Sequence, residues 1–214
     1  FIFSHLLAVP TGNKCEKMKQ LCRVFTLMLN HDKIKFMSNY TRLFLNGFNY
    51  IFVTIVTNER QKILIENIDI LRKSFKSALE KFPFEIYAAV VLPDHMHLIL
   101  KLQNVEDYPK IIYSIKYNFS LKMPKNAAFL SQSKIKKGEK GIWQRRYWEH
   151  TIRDEEDLAK HLDYVHFNPI KHGYVKVVGK YEYSSFKKFV KMGFYDSSWC
   201  NFEDKNKIVG LDFE

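Results

Sequence analysis

The 214-residue chain is 46% hydrophobic, and no apolar run approaches the length of a membrane span, which excludes a membrane-spanning helix; the length suits one domain, or one domain with an appended tail. It carries 34 Lys and Arg against 23 Asp and Glu, a net charge of +11, so its surface attracts polyanions: nucleic acid first, anionic membrane second. Cys15, Cys22 and Cys200 form no CxxC pair and leave one thiol over, which excludes a disulfide scaffold and points to a reducing, cytoplasmic setting.

Residues 1–36 mix apolar and basic side chains without a period and read as an N-terminal extension outside the main domain. Phe1 to Pro10 lack the basic flank of a signal peptide. The main domain is expected over 37–180, and 181–214 form a C-terminal tail. Asn46-Gly47 is a turn signal, and Tyr50 to Thr57 are β-branched or aromatic, a strand. Ile68, Leu71, Phe75 and Leu79 recur at helical spacing and predict an amphipathic helix over 65–82, stopped by Pro83. Phe84 to Leu92 are apolar on both faces, which predicts a central strand. Pro93-Asp94 turns the chain into an antiparallel strand over 95–102. A second helix is predicted from Val105 to Phe119, a lysine-rich loop from Lys122 to Lys140, and a fourth strand over 147–152. Asp154 caps a third helix that reaches Asn168, where Pro169 interrupts it. The order β-α-β-β-α-β-α suggests an α+β domain, a ferredoxin-like or RRM-like sandwich with a central antiparallel sheet.

Two features carry chemistry. On the strand over 95–102, side chains alternate, so His95 and His97 share one face and Met96, Leu98 and Leu100 point into a core. Two imidazoles about 7 Å apart at Cβ can chelate one ion; the plain alternative is a pair of half-buried structural histidines. On the third helix Leu158, Leu162 and Val165 form a core stripe, while Asp157, His161, Tyr164 and Asn168 share a separate one. A divalent ion held by His95, His97 and the Asn168 oxygen leaves positions open for a scissile phosphate, and the Tyr164 hydroxyl is placed to attack it. A free phenol titrates near pH ~10 and needs help to ionise, from the metal or from His161. Mixed nitrogen and oxygen ligands suit Mg²⁺ or Mn²⁺ and do not exclude Zn²⁺.

Three segments together resemble the IS200-like transposases, and most closely their REP-associated tyrosine transposases, a branch of the HUH single-strand nucleases. They are Leu92-Pro-Asp-His-Met-His97-Leu, Trp143-Gln-Arg-Arg-Tyr-Trp-Glu-His150-Thr-Ile-Arg153 and Asp163-Tyr164-Val-His-Phe-Asn168-Pro-Ile-Lys-His-Gly173. The resemblance covers about Met37 to Trp199. It implies that His95 and His97 are metal ligands, with Asn168 where the family places the third, and that Tyr164 is the nucleophile. It further implies a single-stranded DNA partner, folded as an imperfect hairpin beside a short tetranucleotide, and cleavage through a 5′-phosphotyrosine. REP-associated members act alone, which implies a monomer.

Single strands are held by basic grooves with stacking rings. Trp143, Arg145, Arg146 and Trp148 fit that recipe, and Lys134, Lys136, Lys137 and Lys140 are expected to meet phosphate. The tail aromatics Phe186, Phe189, Phe194, Tyr195 and Trp199 are candidates for reading the tetranucleotide, or for plain packing. His166 and His172 fall off the Tyr164 stripe and read as structural or surface residues; Glu149 and His150 receive no role. The competing reading is a non-catalytic RRM-like binder of nucleic-acid hairpins, which needs exposed rings on the central strands, where Tyr87 and the histidines stand instead. A metal phosphoesterase using activated water is a third.

Overall fold

A computed structural model describes residues 49–124 and 132–200. The extension 1–36, the start at 37, the Asn46-Gly47 turn, residues 125–131 and the tail beyond Cys200 lie outside them.

Four strands form one antiparallel sheet: β1 (Tyr50–Val56), β2 (Phe84–Val91), β3 (His95–Leu102) and β4 (Trp148–Thr151), in the order β2-β3-β1-β4. β1 and β2 are joined through α1 (Ile68–Leu79) yet separated by β3, the split βαβ arrangement of ferredoxin-like folds. α2 (Tyr108–Lys122) follows β3 after a 3-10 turn over Val105–Asp107, so the predicted second helix begins three residues late as an α-helix. Among its described residues the lysine-rich loop holds a short helix, α3 (Gln132–Lys136). α4 (Glu155–Lys171) and α5 (Phe186–Lys191) complete the domain.

Strand alternation builds two cores. Ile51, Val53 and Ile55 of β1 with Met96, Leu98 and Leu100 of β3 face α1 and α2, where they meet Leu71, Phe75, Ile112 and Phe119. Phe52 of β1 and Ile99 of β3 face α4 and α5, where they meet Leu158, Leu162, Val165, Phe186 and Phe189. A bulge between Ile86 and Ala88 turns Tyr87 and Ala88 to this second face. Both faces are therefore covered, unlike an open RRM-like sheet, and Tyr87 is buried with its ring 5.5 Å from that of Phe189.

Three expectations are corrected. β2 is an edge strand, not a central one. It is apolar on both faces because each face packs into a core, and its outer rim is capped as well: Val91 N–H donates to Tyr183 O, Ser185 N–H to Ala89 O, and Ala89 N–H to Ser185 Oγ. The segment expected to trail from residue 181 thus packs, as far as Cys200, within the second core. Pro169 does not end the helix, which runs two residues further. The proline deprives one carbonyl of its donor, but Pro169 and Ile170 are buried, and His172 N–H and Gly173 N–H close the last turn on Asn168 O and Ile170 O. The stripe Asp157, His161, Tyr164, Asn168 is as buried as the leucine stripe beside it, so α4 presents a wide face to the sheet.

A buried hydrogen-bonded chain pins the end of the domain. Tyr195 Oη donates to Asp163 Oδ1 at 2.7 Å, His166 Nδ1 lies 3.3 Å from the same phenol oxygen, and His166 Nε2 lies 2.8 Å from Ser185 Oγ. Tyr195 Oη gives its proton to Asp163, so His166 Nδ1–H donates to the phenol oxygen and Nε2 accepts from Ser185 Oγ. Burial pushes the His166 pKa down to about 3 and the Asp163 pKa up to about 7, the latter opposed by the Tyr195 hydrogen bond.

Candidate active site

His95 and His97 lie on β3 with ring centroids 5.0 Å apart, both buried. Each has its Nδ1 engaged by a neighbour. Thr54 sits opposite His97 in the β1/β3 ladder, and its Oγ1 lies 2.8 Å from His97 Nδ1. Asp94 Oδ1 lies 2.7 Å from His95 Nδ1, and a carboxylate there requires the proton on Nδ1. Burial pushes the Asp94 pKa up, but hydrogen bonding and charge from His95, then Arg60, hold it below the usual carboxylate value. Arg60 approaches from a strained segment: Glu59 and Arg60 have φ of 53° and 51°, the left-handed region that side chains disfavour. Its Nη1 is 3.6 Å from Asp94 Oδ2. The Asp94 carboxylate sets the His95 proton on Nδ1, and the Thr54 hydroxyl can accept the same proton from His97; in that tautomer the buried Nε2 of each histidine is the atom able to act as a ligand.

α4 lays Tyr164 across this pair. Its ring is 5.2 Å from that of His97 and 5.8 Å from that of Phe52, and its side chain is 0% exposed. One turn later Asn168 donates its amide to Tyr164 O at 3.2 Å, while its buried Oδ1 has no hydrogen-bond partner among the described residues. A buried amide oxygen without a partner, one helical turn from the tyrosine that meets His97, together with two imidazoles is a donor set whose chemistry fits a divalent cation. His172, exposed, stacks edge-on at 4.8 Å from His95, and Lys171 Nζ donates to Tyr164 Oη at 3.2 Å. Sequence reasoning missed Thr54, Asp94, Lys171 and Arg60. The register opposite His97 and the position next to His95 are signals that point to the first two.

A second cluster lies one turn earlier on α4. His150, Asp157 and His161 hold ligand atoms within 4.8 Å of one another, a spacing that can hold a metal ion. Asp157 is already crowded, however: His150 Nε2 lies at 2.7 Å, and Arg153 Nε and N–H at 3.1 and 3.0 Å, all on Oδ2, with His161 Nδ1 at 3.2 Å from Oδ1. Burial pushes the carboxyl up, yet these hydrogen bonds hold it well below the usual carboxylate range. The guanidinium already supplies the charge a cation would bring, so we read the group as an ion-paired clasp between β4 and α4. Asp154, as expected, caps α4 by accepting from Asp157 N–H at 2.8 Å.

The expected nucleic-acid contacts divide. Trp143 is 7% exposed, packs 5.1 Å from Phe119, and donates Nε1–H to Lys116 O; a ring so placed offers no face to a base. Trp148 is half-buried, with its ring 5.5 Å from that of Phe52. Arg145 and Arg146 are exposed, and Arg145 is tied to Glu139 Oε1 at 2.9 Å and Ser133 Oγ at 3.1 Å. Lys134 and Lys136 lie on α3; Lys136 and Lys137 are exposed. Phe186, Phe189, Phe194 and Tyr195 are buried and Trp199 is partly so, stacked on Phe186 at 5.9 Å; packing accounts for all five.

A four-stranded antiparallel sheet thus carries two adjacent histidines, with a helix-borne tyrosine packed against one of them. The model of the family "Transposase IS200 like" matches residues 45–168, and the chain belongs to that family, among its REP-associated tyrosine transposases. It is 36% identical to the REP-associated tyrosine transposase of Escherichia coli K12 over 165 residues, covering 77% of this chain and 92% of that one. It is 43% identical over 164 residues to a Haemophilus influenzae protein provisionally given the same name, covering 76% and 93%. A solved REP-associated tyrosine transposase bound to a REP hairpin superposes with a TM-score of 0.62 at 35% identity, over 77% of this chain and 92% of that one. Among the described residues no helix is long and apolar enough to cross a membrane.

Proposed function

We propose that the protein is a metal-dependent endonuclease and strand-transferase for single-stranded hairpin DNA, with Tyr164 as nucleophile and His95, His97 and Asn168 as metal ligands. The observation that carries this reading is the Tyr164 ring lying 5.2 Å from that of His97, above an imidazole pair with both Nδ1 atoms engaged. When bound, Mg²⁺ or Mn²⁺ supplies Lewis-acid polarisation of the scissile phosphate and a template for it. Thr54 and Asp94 hold the imidazoles in the ligating tautomer, and Asn168 braces the Tyr164 carbonyl. Tyr164 Oη bonds to phosphorus as the bond to the 3′ oxygen breaks; the phenol proton passes to water, and the departing oxygen takes one up. The products are a 5′-phosphotyrosine and a free 3′ hydroxyl.

Hairpin DNA as substrate rests on the relative described as bound to a REP hairpin. Arg145, Arg146, Lys134, Lys136, Lys137 and the edge of Trp148 are the proposed backbone and base contacts, beside a tetranucleotide site, in a protein acting as a monomer. The non-catalytic alternative loses ground because the sheet face it needs is covered by α4 and α5. Labelled hairpin oligonucleotide with Mn²⁺ should give a covalent adduct that Tyr164→Phe abolishes. An adduct that survives in Tyr164→Phe sinks the assignment.

A further inference from the structure

Lys171 stands seven residues after Tyr164, two helical turns along the same stripe of α4. A lysine in a last helical turn ordinarily extends to solvent beside the free carbonyls. Here it is half-buried and reaches back: its Nζ donates to Tyr164 Oη at 3.2 Å and lies 5.0 Å from the ring centroid. An ammonium already makes a charge-assisted hydrogen bond to a neutral phenol. The same contact gains strength as the oxygen, or oxygens that join it, become negative.

We propose that Lys171 is a catalytic residue: its ammonium holds the attacking oxygen of Tyr164 and neutralises the charge that builds on the tyrosine side of the phosphoryl transition state. This rests on the reading of Tyr164 as nucleophile. As the Oη–P bond forms and the P–O3′ bond breaks, the phenol proton goes to water and Lys171 keeps its three protons. In-line displacement puts the leaving 3′ oxygen on the far side of phosphorus, so Lys171 acts on the tyrosine oxygen alone. In the return step, where a 3′ hydroxyl displaces tyrosine, phenolate is the leaving group and the same ammonium stabilises it. Cleavage and rejoining therefore depend on Lys171 alike.

The test is single-turnover adduct formation on labelled hairpin oligonucleotide with Mn²⁺, using the full chain. Lys171→Ala should slow it about 100-fold, and Lys171→Arg should keep most of the rate. Oligonucleotide affinity, measured in a Tyr164→Phe background, should change by less than about 3-fold, since one phosphate contact at most is lost. Added ethylammonium should restore the Lys171→Ala rate saturably and leave the wild type unaffected, a response that a packing role does not produce. An unchanged rate in Lys171→Ala overturns the proposal. So does a loss that ethylammonium does not restore and that Lys171→Arg shares. If Tyr164→Phe abolishes the adduct while Lys171→Ala does not slow it, only Lys171 loses its role; if the adduct forms in Tyr164→Phe, the nucleophile assignment falls first.

Discussion

Thr54 Oγ1 and His97 Nδ1 lie 2.8 Å apart because the two residues face each other across the β1/β3 ladder. Removing a hydrogen bond to the far nitrogen of a ligating histidine costs about 10-fold in metal affinity or more. Thr54→Val keeps shape and strand propensity, so the sheet should persist. Titration calorimetry with Mn²⁺ should show the weaker binding, and equal affinity in both proteins would detach Thr54 from the site.

Asp157 joins β4 to α4 through His150, His161 and Arg153. Asp157→Ala leaves the buried His161 and the half-buried His150 without their acceptor. It should lower unfolding stability by about 3 kcal/mol. Urea unfolding followed by tryptophan fluorescence reads this directly. If chelators leave the wild-type midpoint unchanged while Asp157→Ala shifts it, the cluster is the ion-paired clasp described above.

The Asp163–Tyr195–His166 chain carries opposing titrations. His166 binds its proton near pH ~6.5 when unfolded but only near about 3 when folded. Its contribution is therefore lost as pH falls below the unfolded value. Asp163 binds its proton near pH ~3.9 when unfolded and near about 7 when folded. Its contribution is therefore full below the unfolded value and lost as pH rises through the folded one. Between these limits each state holds one proton, so stability should be nearly flat from about pH 4 to 6.5. Asp163→Asn should unmask the histidine, with stability falling by about 1 kcal/mol per pH unit on acidification. His166→Gln should show the opposite slope. Denaturant midpoints at pH 5 and 6.5 separate the two.

Glu59, at φ 53° and ψ 32°, is followed by Arg60 in the same left-handed region. A β-branched side chain there is strained, so Glu59→Val should lower stability by about 1–2 kcal/mol, whereas Glu59→Gly should not. Thermal unfolding distinguishes them. Equal losses in both would place the cost in the lost glutamate side chain instead.

Most of the fold was legible because alternation and helical spacing are local properties. The alternation of β3 alone puts His95 and His97 on the face opposite Met96, Leu98 and Leu100. The cap at Asp154 and the stripe of α4 followed from spacing in the same way. What was not legible depends on distant chain. β2 reads as central because burial, not position, sets its composition, and its cover comes from Tyr183 to Ser185, about a hundred residues on. Trp143 looked like a stacking ring because its basic neighbours mimic a groove; its place under α2 is fixed by Phe119. Pro169 looked like a stop because the rule counts the lost hydrogen bond and not the burial of the ring.

The rim of β2 has one more consequence. Tyr183 and Ser185 clip onto Val91 and Ala89, and Tyr181 Oη adds a bond to Val91 O. From Val91 the chain passes Leu92, Pro93 and Asp94 and arrives at His95. The C-terminal segment is thus moored within four residues of the imidazole pair. A substitution at Tyr181, Tyr183 or Ser185 is therefore felt at the histidines through a few hydrogen bonds and one hairpin, although about ninety residues of chain separate them.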